Sequence, residues 1–388
     1  MNASSHASAS PVRTVLAFSG AFLPGFKAGG PIKSLVTILD TLPPSVSVTL
    51  VTADRDLGDK KPYPNLSGKT VRRGRHQVLY INPHNPRHWM LVLRRARLQP
   101  PDLVYLNSFF SPAFSLVPQV LQLLGALGCR RVLLAPRGEF SPGALGLKHT
   151  KKRVFLTIWP PLLRRLDPLW NASAENEVRE IQRVIPWARI IAQPDTQGEE
   201  PRREALSCER QPRFVFVSRI SPKKNLALIL EALAAVSPDV TFDIFGPVED
   251  ARYWNECTRL MERLPRHIHA EYRGTLEPDA VSDVFSRYDA FLFPTLGENF
   301  GHVIAESLSA GCPVMCTPTT PWTDVFLKGG GTVVDSLEAS AWASAVERHA
   351  LLSVSEREAK KQTALRAYTE WHTRAPSRLA LEVALDQI

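Results

Sequence analysis

Short apolar runs rich in β-branched and aromatic residues alternate with helix-like stretches along this chain, and the alternation restarts once. In the first half the runs are 13–19 (RTVLAFS), 46–52, 102–107, 131–136 and 189–193, with helix-like stretches at 30–41 and 112–127. A polar stretch without apolar periodicity, 194–212, reads as a linker. The pattern resumes with strands at 213–218, 240–246, 290–294 and 313–317, a helix at 225–233, and helical sequence from Ser355 onward. Short apolar strands alternating with helices predict parallel sheets covered on both faces, so the expected class is α/β with two doubly wound, Rossmann-like domains. In such sheets ligands bind at the carboxyl ends of the strands.

At 388 residues the chain is long enough for two cores. Five scattered cysteines argue against a disulfide framework and for a reducing compartment. Cys312 and Cys316 lack a second cluster, so they read as buried thiols, and no metal site is expected. Residues 1–11 lack the basic and apolar regions of a secretory signal and are expected to be disordered. No apolar run is long enough to span a bilayer. Residues 1–170 hold 23 Lys/Arg against 7 Asp/Glu, whereas the remainder holds 24 against 31. A basic half attracts anionic lipid, nucleic acid or phosphorylated substrates, or is simply a solvated surface.

Four segments carry candidate chemistry. The strongest is AFLFPTLGENFGHVIAESLSAGCPVMC, 290–316: a buried strand, a break at Pro294, a loop with Gly297 and Gly301, a helix, and Gly311 before another strand. Glu298 lies in the loop and Glu306 in the helix; carboxylates accept from paired hydroxyls, and free amides at a helix start suit phosphate. The second is FVFVSRISPKKNL, 214–226, where Arg219, Lys223 and Lys224 follow a strand and precede a helix. The third is FLPGFKAGGPIKSL, 22–35, with Gly29 and Gly30 at the opening of the first helix. It is not a GxGxxG fingerprint, and the second strand as read, 46–52, ends without an acidic residue. The fourth is LLAPRGEFSPGAL, 133–145, with Arg137 and Glu139; Asn107 lies at another strand end. The basic, Trp-containing stretch 149–165 suits either an anionic membrane surface or a core helix with basic ends.

The 290–316 segment resembles the signature of the retaining family-four glycosyltransferases, the bacterial surface-polysaccharide group 1 enzymes. That resemblance implies the GT-B fold, two Rossmann-like domains facing a central cleft: an acceptor-side domain over 1–194, a nucleotide-sugar domain over 195–370, and a helix over 371–388 crossing back to the first. It implies that Glu298 contacts donor-sugar hydroxyls, Glu306 the nucleotide ribose, and the backbone of Asn299, Phe300 and Gly301 the sugar and diphosphate. Arg219 and Lys224 match the cations that stabilise the leaving diphosphate, and Gly29 and Gly30 the loop that faces the donor phosphates. Where many relatives carry a histidine this chain has Arg137; Arg137, Glu139 and Asn107 are candidate acceptor or sugar contacts.

The expected activity is hexosyl transfer with retention from a nucleoside-diphosphate sugar, without metal or other cofactor. The acceptor is a glycan or a polyprenyl-diphosphate-linked glycan. The expected location is cytoplasmic, peripheral to the plasma membrane through the basic half, with no nucleic-acid partner. A sugar-nucleotide epimerase on the same fold and a non-catalytic basic protein binding membranes or polyanions are the alternatives.

Overall fold

The computed structural model describes residues 12–141, 144–145, 149–194, 198–203 and 208–388. The expected tail, 1–11, lies outside them, as do parts of the expected linker, 195–197 and 204–207. The chain divides into two compact units, Met1–Thr196 with Pro376–Ile388, and Gln197–Ala375.

In chain order the first unit comprises β1 (Arg13–Ser19), α1 (Gly30–Thr41), β2 (Val46–Ala53), β3 (Thr70–Arg73), β4 (His76–Ile81), α2 (Pro86–Leu98), β5 (Leu103–Leu106), α3 (Val117–Leu123), β6 (Arg131–Leu134), α4 (His149–Leu163), β7 (Leu169–Ala172), α5 (Glu175–Val184) and β8 (Arg189–Ala192). A wide helical turn, Pro112–Leu116, leads into α3. The sheet runs β3-β4-β2-β1-β5-β6-β7-β8, parallel throughout except for β3, an antiparallel edge strand on β4. The strands between the edges alternate their side chains into two cores. Ala17, Leu50 and Tyr105 face α1, whereas Phe18, Val51 and Val104 face α2 to α5.

The second unit comprises β9 (Arg213–Val217), α6 (Leu226–Leu233), β10 (Val240–Phe245), α7 (Ala251–Met261), β11 (Ile268–Tyr272), α8 (Val281–Phe285), β12 (Ala290–Phe293), α9 (His302–Ser309), β13 (Val314–Cys316), β14 (Gly331–Val333), α10 (Ala339–Ala350) and α11 (Val354–Arg374). Its sheet is wholly parallel, in the order β11-β10-β9-β12-β13-β14. The chain therefore has the α/β, doubly wound architecture expected of its pattern.

The chain rejoins the first unit at Pro376 rather than at residue 371. The reason is packing: Trp371 lies 4.4 Å from Trp322 and 5.5 Å from Tyr368, ring centre to ring centre, inside the second unit. The returning helix, α12 (Ala380–Leu385), buries Leu381 and Leu385 in the same core as α1.

Candidate active site

The strand order of the second unit reverses at β9, which has β10 on one side and β12 on the other. The carboxyl ends of the strands at such a switch point are where sheets of this kind hold ligands. Lys224 follows β9 and Glu298 follows β12. Parallel pairing of Phe214 with Ala290 and of Val215 with Phe291 brings the two loops together. Lys224 Nζ donates to Glu298 Oε1 at 2.6 Å, with 9% and 12% of the two side chains exposed. The ammonium also lies over the Phe293 ring, 5.3 Å from its centre.

Thr295, fully buried, donates its hydroxyl to the same Glu298 Oε1 at 2.7 Å. Its own carbonyl accepts from Thr317 Oγ1 at 2.6 Å and Thr319 Oγ1 at 3.2 Å. One carboxylate oxygen is thus fixed by two donors. Among the described residues none bonds the other, Oε2, which is left to accept from a ligand. Neither Thr295 nor the threonines after β13 stand out in the sequence as site residues. The repeated hydroxyls of C-T-P-T-T, 316–320, were the available signal.

The turn after Glu298 is shaped by Gly301, which caps α9 at φ +83°. A Cβ there would meet Ile304 Cδ1 at 3.1 Å and Glu298 Cβ at 3.4 Å, so the site needs glycine for conformation and for space. Phe300 is buried against Trp322, whose indole Nε1 donates to the Phe300 carbonyl at 2.5 Å. Asn299 Oδ1 is buried without a hydrogen-bond partner among the described residues. Glu306 is half-buried in the second turn of α9. Arg219 stands apart from the Lys224–Glu298 pair: its guanidinium binds Glu249 Oε1 at 3.1 Å, with 36% of its side chain exposed.

In the first unit, Gly29 caps α1 at φ +62° and Pro31 follows in the first turn. Open space surrounds the position of a Cβ at Gly29. The loop before it is held by Asp56, whose Oδ2 accepts from Phe26 N at 2.9 Å and Lys27 N at 3.2 Å. The second strand is one residue longer than read from the sequence, and Asp54 and Asp56 follow it directly. Both are consumed internally, Asp54 by Arg55 Nε and Ser67 Oγ and Asp56 by the loop, so neither is available as a ribose partner.

Asn107, Arg137 and Glu139 gather at the ends of β5 and β6. Arg137, at φ +58°, donates to Asn107 Oδ1 at 2.6 Å and to the Tyr105 hydroxyl. Asn107 Nδ2 is buried without a partner among the described residues. Glu139 does something different: it accepts from Ser108 Oγ, Phe109 N and Phe110 N at 2.6–2.9 Å. Burial pushes its pKa up against those three donors. Both of its oxygens are spent on holding the 108–110 loop.

Two parallel α/β units, with polar side chains gathered at the strand ends beside the switch point of the second, define the GT-B class. Residues 198–367, which lie in the second unit, match the family model described as Glycosyl transferases group 1. The chain is similar to the sucrose-phosphate synthase of Thermosynechococcus elongatus, with a TM-score of 0.72, 16% identity and 97% of each chain covered. The same coverage and identity hold for HepE of Anabaena, solved with UDP and glucose, at a TM-score of 0.67. Among curated relatives it is 29% identical to the sulfoquinovosyl transferase of Arabidopsis thaliana over 146 residues, 37% of this chain and 27% of that protein. It is 24% identical to the O-antigen chain mannosyltransferase B of Escherichia coli over 144 residues, 37% of this chain and 36% of that one. The chain thus spans about a quarter to a third of the length of these curated relatives.

Proposed function

We propose that this protein is a retaining glycosyltransferase that moves a hexosyl unit from a nucleoside-diphosphate sugar to a glycan or lipid-linked glycan acceptor in surface polysaccharide biosynthesis. The observation that carries the proposal is the buried Lys224–Glu298 pair, joined across the ends of β9 and β12 and followed directly by the Gly301 turn into α9. An ammonium has three donors, and one suffices for Glu298. The others are available to the leaving diphosphate, where negative charge grows as the glycosidic bond breaks. Arg219 joins it by exchanging Glu249 for phosphate. Glu298 Oε2 accepts from donor-sugar hydroxyls, Asn299 to Gly301 line the sugar and diphosphate, and Glu306 takes the ribose.

In this reaction the acceptor hydroxyl attacks the anomeric carbon from the face the diphosphate leaves. The carbon–oxygen bond to phosphate breaks, and a phosphate oxygen takes the hydroxyl proton. Positioning and electrostatics supply the acceleration. The positive charge comes from Lys224 and Arg219, so no divalent metal is assigned.

The test is a thermal-stability panel of UDP-, GDP- and ADP-sugars, with and without chelator, followed by transfer assays with the stabilising donor. UDP-glucose is the first to try, given the UDP and glucose in the HepE structure. A donor at a hundred times its Kd adds about 2.7 kcal/mol to the folded state. Glu298→Gln is expected to cut turnover by about two to three orders of magnitude. An inverted product, or wild-type turnover in Glu298→Gln, sinks the proposal. Conversion of the nucleotide sugar without acceptor would mark an epimerase instead.

A further inference from the structure

The helices on one face of the first unit have an unusual outer surface. α2 is capped by Asn85, whose side chain accepts from Arg87 N at 3.0 Å, and its inward residues Val92 and Ala96 join the sheet. After Pro86, its exposed residues are Arg87, Met90, Leu91, Arg94, Arg97 and Leu98, which fall on a single side of the helix. Met90 is 64% exposed and Leu98 74%. α4, on the same face, repeats the arrangement. Phe155 and Trp159 turn inward, while Arg153, Val154, Ile158 and Pro161 are exposed. Between them α3 exposes Val117 and Val120, and Trp159 Nε1 ties α4 to it through Gln119 Oε1 at 2.6 Å.

The charge around these aliphatics is one-signed. Residues 60–166 hold 19 Lys/Arg and two acidic residues, Asp102 and Glu139. Both acids are occupied: Asp102 accepts from Thr14 N at 2.7 Å, and Glu139 holds its loop. Among the described residues, Arg87, Arg94, Arg97, Arg153 and Arg165 have no carboxylate within ion-pair distance. The next helix on this face, α5, shows the contrast. There exposed Glu175 is interspersed with Arg179 and Arg183, as on an ordinary solvated helix.

Exposed Met, Leu and Ile set among unpaired arginines fit a surface that is apolar beneath and anionic on top. A second copy of the chain would bring like charge against like charge. Nucleic acid would use the arginines but leave the aliphatics in water. We propose that this face docks on an anionic lipid bilayer. Met90, Leu98 and Ile158 enter the headgroup–acyl boundary, and the arginines lay their stems along it and bind lipid phosphates. This goes beyond the transfer reaction and does not depend on it, since vesicle binding needs no donor.

The experiment is co-sedimentation of the full chain with vesicles of phosphatidylcholine alone or of equal parts phosphatidylcholine and phosphatidylglycerol. Binding to the mixed vesicles only, weakening with salt, is expected. Met90→Ser with Leu98→Ser, and separately Arg94→Glu with Arg97→Glu, should each lower that binding at least about tenfold with an unchanged thermal midpoint. Arg252→Glu with Arg259→Glu, an equal charge change on α7 of the second unit, should alter it by less than about twofold. Equal binding to both vesicle types or to neither, an equal loss in the α7 variant, or full binding by the serine variant overturns the proposal. The last outcome would mark a polyanion-binding surface instead.

Discussion

Lys224 keeps 9% of its side chain exposed and rests its ammonium on a single carboxylate oxygen of Glu298. A charge pair so far out of water contributes little net stability, but losing one member strands the other. Lys224→Met is therefore expected to cost roughly 3 kcal/mol, because Glu298 is left with only the Thr295 hydroxyl. Glu298→Gln keeps an amide oxygen for Thr295 but weakens the bond to the ammonium. In the double variant no stranded charge remains, and about half of the Lys224→Met loss should return. Turnover should stay low in all three. Urea unfolding of each variant, read beside transfer rates, checks this. A double variant no more stable than Lys224→Met would mean that the pair is not coupled as its geometry implies.

Elements were legible where the residues themselves decide the structure. The runs at 13–19, 46–52, 213–218 and 240–246 are strands because apolar, β-branched and aromatic residues dominate them, which suits a sheet covered on both faces. The hairpin β3–β4 was not legible, since its edge strand, T-V-R-R, is mostly exposed and carries no apolar alternation. Nor was β7, four residues whose strand character comes from neighbours β6 and β8. At the site, the G-E-N-F-G turn was legible, but the joining of Lys224 to a residue 74 positions away arises only from β9–β12 pairing. The 149–165 stretch reads as either a core helix or a membrane surface, and α4 turns its aromatics inward and Val154 and Ile158 outward. In α10, His349 is another case that only packing decides. It is buried beside the Phe214 ring, its Nε2 has no hydrogen-bond partner among the described residues, and burial lowers its pKa to about 4. The unfolded chain, titrating near 6.5, takes up a proton that the native state refuses, so stability falls as pH drops from about 6.5 toward 4 and is flat above. At pH 5 the loss is roughly 2 kcal/mol. His349→Leu should lack this component. If urea midpoints of wild type and variant fall equally between pH 7 and pH 5, the titrating group lies elsewhere.

For the whole molecule, the path of the chain matters as much as either fold. The first unit is assembled from both ends of the sequence, so the second, Gln197–Ala375, is an insertion within it. The closing segment is short, yet Leu379, Leu381 and Leu385 are 7%, 3% and 2% exposed and share a core with Leu35, Ile38 and Tyr105. Arg13 at the start of β1 donates to the Leu385 carbonyl, tying that segment to the opening strand of the unit. Burying three leucines contributes roughly 5 kcal/mol, comparable with the lower end of a domain's total stability. A chain ending at Ala375 should therefore lose the first unit's native state while leaving the second unit's sheet intact. Hydrogen exchange would show this as lost protection in β1, β2 and β5 with protection kept in β9, β10 and β12. Nucleotide binding should persist in the truncated chain, because Lys224, Glu298, Gly301 and Glu306 all lie within the insertion. Vesicle binding should weaken as α2 and α4 lose the sheet that aligns their outer faces. Uniform loss of protection across both units would show instead that the insertion depends on its host for stability, and nucleotide binding would then fail together with the fold.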